Sequence, residues 1–250
     1  MDIINAVTSF FRLGSMPREV NRSLIVLIPK VTNPSNVNHF RPISLCNVVY
    51  KVISKILIAK LRPLLDKIIS PSQSTFIPDI WIAENQVIVQ EMIHGFKTRK
   101  PKSGLMSIKL DLQKAYDRVN WEFIRTILLH LGFDEVFTGW IVACISSVSF
   151  EVLVNGGKTE GFTPNRGLRQ GDPLSSYLFI LGQEIFSRML EHELRNKNLN
   201  GIKTSSNGPT ISHLMYVDDI ILFSKATLEM LTALLTCLRS TAPGPGKALT

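Results

Sequence analysis

The stretch ISHLMYVDDIILF, residues 211–223, sets two adjacent carboxylates, Asp218 and Asp219, inside a run that is otherwise almost entirely apolar. Aspartate is among the residues least often buried without a partner, and two neighbouring negative charges in low dielectric repel each other. The run therefore asks for a cation. Its pattern reads as a hairpin with Val217, Asp218 and Asp219 at or near the tip.

Upstream, LMSIKLDLQKAYDRV (105–119) opens with alternation: Ile108, Leu110 and Leu112 point one way, Ser107, Lys109 and Asp111 the other. Asp111 thus projects from the polar face of a strand near its end. If this strand packs beside the hairpin, three carboxylates converge, and a divalent ion removes the repulsion. Hard oxygen ligands with room for water and phosphates describe a Mg²⁺ site, with Mn²⁺ a possible substitute. Two such ions activate an attacking oxygen and stabilise a leaving one. An isolated Asp-Asp pair also reads as an ordinary turn. Its neighbours weigh against that: RGLRQGDPLS (166–175) offers two glycines, the Gln170 amide and a helix start with Asp172 as N-cap and Pro173 as first residue. The five histidines sit in no motif, and nothing indicates a Ser/His/Asp triad.

Elsewhere, SLIVLIPK (23–30) reads as a strand and VTNPSNVNHFRP (31–42) as a loop. Residues 45–69 carry apolar side chains at helical spacing and predict a long helix bent or ended near Pro63. KTRKPKSG (97–104) is a basic loop, either a phosphate contact, an import signal or a solvated turn. Asn120 caps a helix that Gly132 stops, and EVLVNGGKTEGF (151–162) signals a hairpin around Asn155-Gly156-Gly157. A long helix follows Pro173. Strands interleaved with long helices, without a regular βαβ rhythm, indicate an α+β fold.

The chain has 250 residues, 45% of them hydrophobic, enough for a sizeable core. Its three cysteines are far apart, which fits a reducing, intracellular compartment, nuclear or cytoplasmic, rather than secretion. No apolar run reaches the ~18 residues of a membrane span, so no membrane is expected. The formal charge of +8 is uneven: residues 1–110 carry fifteen Lys/Arg against six Asp/Glu, the remainder thirteen against fourteen. That asymmetry indicates either a polyanion-binding surface apart from the acidic site or ordinary solvated lysines. The sequence sets no oligomeric state.

HFRPISLCNVVYKVISKIL, IKLDLQKAYDRVNWEF, RGLRQGDPLSSYLF and HLMYVDDIILF resemble, in order and spacing, the motifs of reverse transcriptases from non-LTR (LINE-type) retrotransposons, especially plant ones, over about residues 5–235. The resemblance implies a right-hand polymerase: a reverse transcriptase domain over 1–240, with fingers about 1–104 and 118–165 and palm about 105–117 and 166–240. Residues 241–250 form a Pro/Gly-rich tail. It implies that Asp111 and Asp218 ligate the catalytic metals, with Asp219 beside them and the Leu112 carbonyl as a further ligand. Tyr116 would lie under the sugar and exclude a 2′-hydroxyl, Gln170 and Gly171 would run along the incoming nucleotide, and Lys30 and Arg41 would grip the triphosphate. The structural alternatives are core packing for Tyr116, a helix-entry salt bridge for Arg41 and a solvated strand end for Lys30. Lys114, Asp117 and Arg118 read as structural pairing. The implied partners are an RNA template, a DNA primer and deoxynucleoside triphosphates.

The match departs from the family in three places. Asp79-Ile80 and Glu84-Asn85 stand where relatives usually show Gly-Arg and Asp-Asn. Tyr216-Val217 replaces Phe-Ala before the aspartates. LLTCLRSTAPGPGKALT (234–250) stands where the family has a lysine-bearing segment and then a thumb, and Lys247 is not placed to replace that lysine. With thumb, endonuclease and zinc knuckle absent, the sequence reads as a fragment with weak or no activity alone. The alternative is an inactive remnant that at most binds nucleic acid. A two-metal nuclease would share the carboxylates but leave Tyr116 and GLRQGDPLS unexplained.

Overall fold

A computed structural model describes residues 2–77, 82–98, 104–204 and 208–241. In chain order its elements begin with α1 (Ile3–Leu13), β1 (Arg22–Pro29), β2 (Phe40–Cys46), α2 (Val48–Leu61), α3 (Leu65–Ile68) and α4 (Ile82–Thr98). There follow β3 (Leu105–Asp111), α5 (Ala115–Arg118), α6 (Trp121–His130), α7 (Glu135–Ser146), β4 (Ser149–Val154) and β5 (Gly157–Lys158). The last are α8 (Pro173–Arg195), β6 (Ile202–Lys203), β7 (Thr210–Ile211), β8 (His213–Tyr216), β9 (Asp219–Lys225) and α9 (Leu228–Thr241). They form two compact units, the first of residues 1–63 and 114–179, the second of residues 64–113 and 180–250.

The first unit holds a sheet in the order β2-β1-β4-β5. β1 pairs antiparallel with β2 and parallel with β4. Phe40–Cys46 is a strand, where the sequence reads as loop and helix start. The reason lies in Pro42, which has no N–H for a ladder and punctuates the run as a turn would. It is accommodated because β2 is an edge strand, the usual place for a strand proline. The helix after it starts at Val48, with the Asn47 side chain accepting from the Val49 N–H at 2.9 Å, and ends at Leu61 just before Pro63. Tyr50, Ile53, Leu57 and Leu61 on its inner face are fully buried, each aliphatic one contributing about 1.5–3 kcal/mol. Asn120 caps α6 as expected, accepting from the Glu122 and Phe123 N–H groups. The β4–β5 turn, Asn155-Gly156, takes left-handed backbone at both residues, the mirror-image turn that suits a hairpin.

The second unit is built on an antiparallel sheet, β3-β9-β8. On one face Met106, Ile108 and Leu110 join Ile220, Leu222 and Met215 against Phe186 and Leu190 of α8 and Met230, Leu234 and Cys237 of α9. On the other, Leu214, Ile221 and Phe223 pack with Ile88, Val89 and Met92 of α4. The alternation expected for β3 holds, because its polar residues Ser107, Lys109 and Asp111 are exposed. Most of KTRKPKSG and the Asp79-Ile80 pair lie outside the described residues. Asn85 is buried and donates to the Ser72 carbonyl at 3.3 Å. Among the described residues no helix is long and apolar enough to cross a membrane.

Candidate active site

In the second unit, strand register brings two of the three candidate carboxylates, Asp111 and Asp219, opposite each other. Asp111, last residue of β3, lies directly opposite Asp219, first residue of β9, and Asp219 lies opposite Tyr216, last residue of β8. Val217 and Asp218 form the two-residue turn between β8 and β9. Directly opposed residues share a face with Cβ atoms about 5 Å apart, so Asp111 and Asp219 would repel. Lys109, one residue pair back on the same face of β3, answers this by placing its ammonium 3.0 Å from Asp219. Asp111 and Asp218 are exposed and have no ion pair or side-chain hydrogen bond among the described residues. The Leu112 side chain packs on the core, with its backbone just beyond the end of β3. As placed, no three His, Cys, Asp or Glu side chains among the described residues are grouped to hold a metal ion; Asp219 turns to Lys109 instead. The set still suits a divalent ion, being hard oxygen donors, two of them without a partner in the described structure.

The turn itself is strained. Val217 has φ +57°, a left-handed conformation unusual for a β-branched residue. Its carbonyl accepts a 2.7 Å hydrogen bond from Gln183 Nε2 on α8. Behind the hairpin, His213 Nε2 lies 2.7 Å from Ser187 Oγ and its Nδ1 lies 2.9 Å from Ser212 Oγ. Ser187 contacts Ser70 Oγ at 2.8 Å, and Glu184 accepts from the Ser70 N–H and from Arg188. Burial holds the His213 imidazole down to about 4 and raises the Glu184 carboxyl.

The other candidate residues lie in the first unit. Gln170 pairs by its carbonyl with the Ser44 N–H at 2.7 Å, docking the RGLRQG segment on β2. Gly171 has φ +98°, and a Cβ there would meet the Ser44 oxygen at 3.1 Å and Ile43 Cγ2 at 3.3 Å. The positive φ favours glycine, and a side chain would also force these neighbours to give by a few tenths of an ångström. Tyr116 is half-buried, stacked on Phe179 with centroids 4.6 Å apart and 12° between planes, its hydroxyl 3.5 Å from Ser176 Oγ. Arg41 is exposed on β2, opposite Ile28. Lys30 closes the β1–β2 connection: its N–H donates to the His39 carbonyl at 2.7 Å and its Nζ to the Asn38 carbonyl at 3.3 Å.

Sequence reasoning missed what anchors this segment. Arg169, 5% exposed, donates through Nη1 to Asn21 Oδ1 at 2.6 Å and through Nη2 to the Cys144 carbonyl at 3.0 Å. It lies 3.5 Å from Asp172 Oδ2 and stacks its guanidinium 3.8 Å from the Tyr50 ring centroid. The Tyr50 hydroxyl donates to the same Asp172 oxygen at 2.7 Å, and burial pushes this phenol well above its usual range. One buried cation therefore ties β1, α2, α7 and the α8 N-terminus. The i,i+3 spacing of Arg169 and Asp172 was the single local signal for it.

The second unit thus carries an acidic hairpin and the first a glycine-bearing segment docked on an edge strand, in an α+β chain. Residues 28–243 match the family model described as reverse transcriptase (RNA-dependent DNA polymerase), and the chain belongs to that family. Relatives come from non-LTR elements, as the sequence motifs implied. The transposon TX1 uncharacterized 149 kDa protein of Xenopus laevis is 28% identical over 92% of this chain and 17% of its own length. The Pol polyprotein of the retrotransposable element R2DM of Drosophila melanogaster is 27% identical over 87% of this chain and 19% of its own. The chain thus spans less than a fifth of these relatives. Among solved structures, apo telomerase from Candida tropicalis superposes with a TM-score of 0.55 at 16% identity, covering 94% of this chain and 50% of that one. The fold is accordingly of the reverse transcriptase type.

Proposed function

We propose that this chain is the polymerising part of an RNA-directed DNA polymerase, extending a DNA primer on an RNA template with deoxynucleoside triphosphates. The observation that carries the reading is the register that faces Asp111 to Asp219 and leaves Asp218 in the adjoining turn. Asp111 and Asp218 would hold divalent ions, with Asp219 beside them and the Leu112 carbonyl as a further ligand. Mg²⁺ or Mn²⁺ bound there would lower the pKa of the primer 3′-hydroxyl and stabilise charge on the departing pyrophosphate. Lys109, its ammonium 3.0 Å from Asp219, orients that carboxylate and offsets part of the repulsion within the opposed pair.

Lys30 and Arg41 would contact the triphosphate, the first as a point charge and the second as a bidentate fork. Tyr116, held flat by Phe179, would exclude a ribose 2′-hydroxyl, and Gln170 and Gly171 would border the incoming nucleotide. The assignment of fingers to about 1–104 and 118–165, palm to about 105–117 and 166–240, and an intracellular setting belong to the same proposal. The test is primer extension on an RNA template with all four deoxynucleotides in Mg²⁺ and, separately, Mn²⁺. Weak, metal-dependent, template-directed products are expected at most, since the chain reads as a fragment with weak or no activity alone. No products from a folded chain that still binds primer–template would favour the reading as a nucleic-acid-binding remnant, and products that persist in excess EDTA would contradict the metal chemistry.

A further inference from the structure

Gln183 is an odd residue for its place. It lies on the inner face of α8, 7% exposed, and its Oε1 is buried with no hydrogen-bond partner in the described structure. A buried glutamine with half its amide unsatisfied is disfavoured against an aliphatic side chain of similar size. Its other half is engaged: Nε2 donates at 2.7 Å to the carbonyl of Val217, the β-branched residue at φ +57° that precedes Asp218. The next polar residues along α8 have local explanations, Glu184 with Ser70 and Arg188, Ser187 with His213.

We infer that Gln183 is a positioning residue of the acidic hairpin, aiming Asp218 by holding the Val217 carbonyl. The peptide link makes this direct. The Val217 carbonyl shares one rigid plane with the nitrogen and Cα of Asp218, so fixing that oxygen fixes the direction in which Asp218 leaves the turn. The same bond holds Val217 in a backbone region it would otherwise leave, and a relaxed Val217 would rotate the Val217–Asp218 peptide and turn the carboxylate away. The inference rests on the proposed metal role of Asp218.

The experiment titrates the protein alone with Mn²⁺, read by the loss of free-ion EPR signal, in wild type, Asp218→Asn and Gln183→Met. Methionine keeps the length and packing but has no proton to donate. Weakening of Mn²⁺ binding by about tenfold in Gln183→Met, the scale at which outer-shell partners act, is expected in a chain whose melting temperature is close to wild type. Because glycine adopts positive φ freely, the loss should shrink when the substitution is made in a Val217→Gly background. If Gln183→Met does not fold, Gln183→Leu replaces it, since leucine is uncharged, of similar bulk and donates nothing. Wild-type affinity in the Gln183 variant beside a weakened Asp218→Asn overturns the inference alone. Equal losses with and without the Val217→Gly substitution overturn the strain on which it stands. Undiminished binding by Asp218→Asn removes the metal reading, and the inference with it.

Discussion

The opposition of Asp111 and Asp219 is a liability that Lys109 answers from the surface, its side chain more exposed than the carboxylate it meets. Exposed pairs contribute little, so Lys109→Met should cost under about 1 kcal/mol in EDTA. Because a divalent ion would supply the same compensation, the cost should shrink in Mg²⁺. Thermal melts of both proteins in each condition check this; a deficit equal in EDTA and Mg²⁺ would separate Lys109 from the metal site. For Tyr116 the stacked Phe179 implies a fixed ring, and Tyr116→Ala should raise the ratio of ribonucleotide to deoxynucleotide incorporation by about tenfold or more, the scale of discrimination by a packed pocket. Steady-state kcat/KM for the two sugars measures it, and an unchanged ratio would assign Tyr116 to packing.

At the level of elements, the hydrogen-bonded cluster behind the hairpin makes stability depend on pH. His213 titrates near 4 in the fold and near 6.5 unfolded. Between those values the unfolded chain takes a proton that the folded one refuses, so stability falls as pH drops from about 6.5 towards 4, by up to ~3 kcal/mol. Glu184, whose carboxyl is raised by burial, opposes this by taking its proton earlier in the fold. Urea midpoints at pH 7 and 5 should therefore converge in His213→Gln relative to wild type. In the first unit, Arg169→Met would strand Asp172 without its cation; about 3–5 kcal/mol of destabilisation is expected from chemical denaturation. Which elements the sequence disclosed follows from how local their causes are. The β8–β9 hairpin, the Asn120 cap and the start of α8 at Asp172-Pro173 are written in adjacent residues. β2 was obscured by its own Pro42. The Arg169 cluster draws on Asn21, Tyr50 and Cys144, far apart in the chain, and Gln183 looks like one more turn of an apolar helix until the strand it serves is in place.

For the whole molecule, the charge asymmetry makes the clearest demand. The fifteen Lys/Arg against six Asp/Glu in residues 1–110 should appear as counterion release on binding primer–template, with log affinity falling linearly in log salt. Affinity unchanged between low and moderate salt would mean that these lysines are merely solvated. The family was legible from four motifs because each keeps its chemistry within a few residues. The facing of Asp111 and Asp219 across more than a hundred residues follows only from the pairing of β3 with β9, and Asp218, in the adjoining turn, is not grouped with them to hold a metal ion among the described residues. The decisive measurement is single-turnover primer extension on an RNA template in Mg²⁺ by Asp111→Asn, Asp218→Asn and Asp219→Asn. At least a hundredfold loss, the order seen when one electrostatic contact to a transition state is removed, is expected for the first two, and a smaller loss for Asp219, which Lys109 engages. Wild-type rates in Asp111→Asn or Asp218→Asn would contradict the metal-site reading outright.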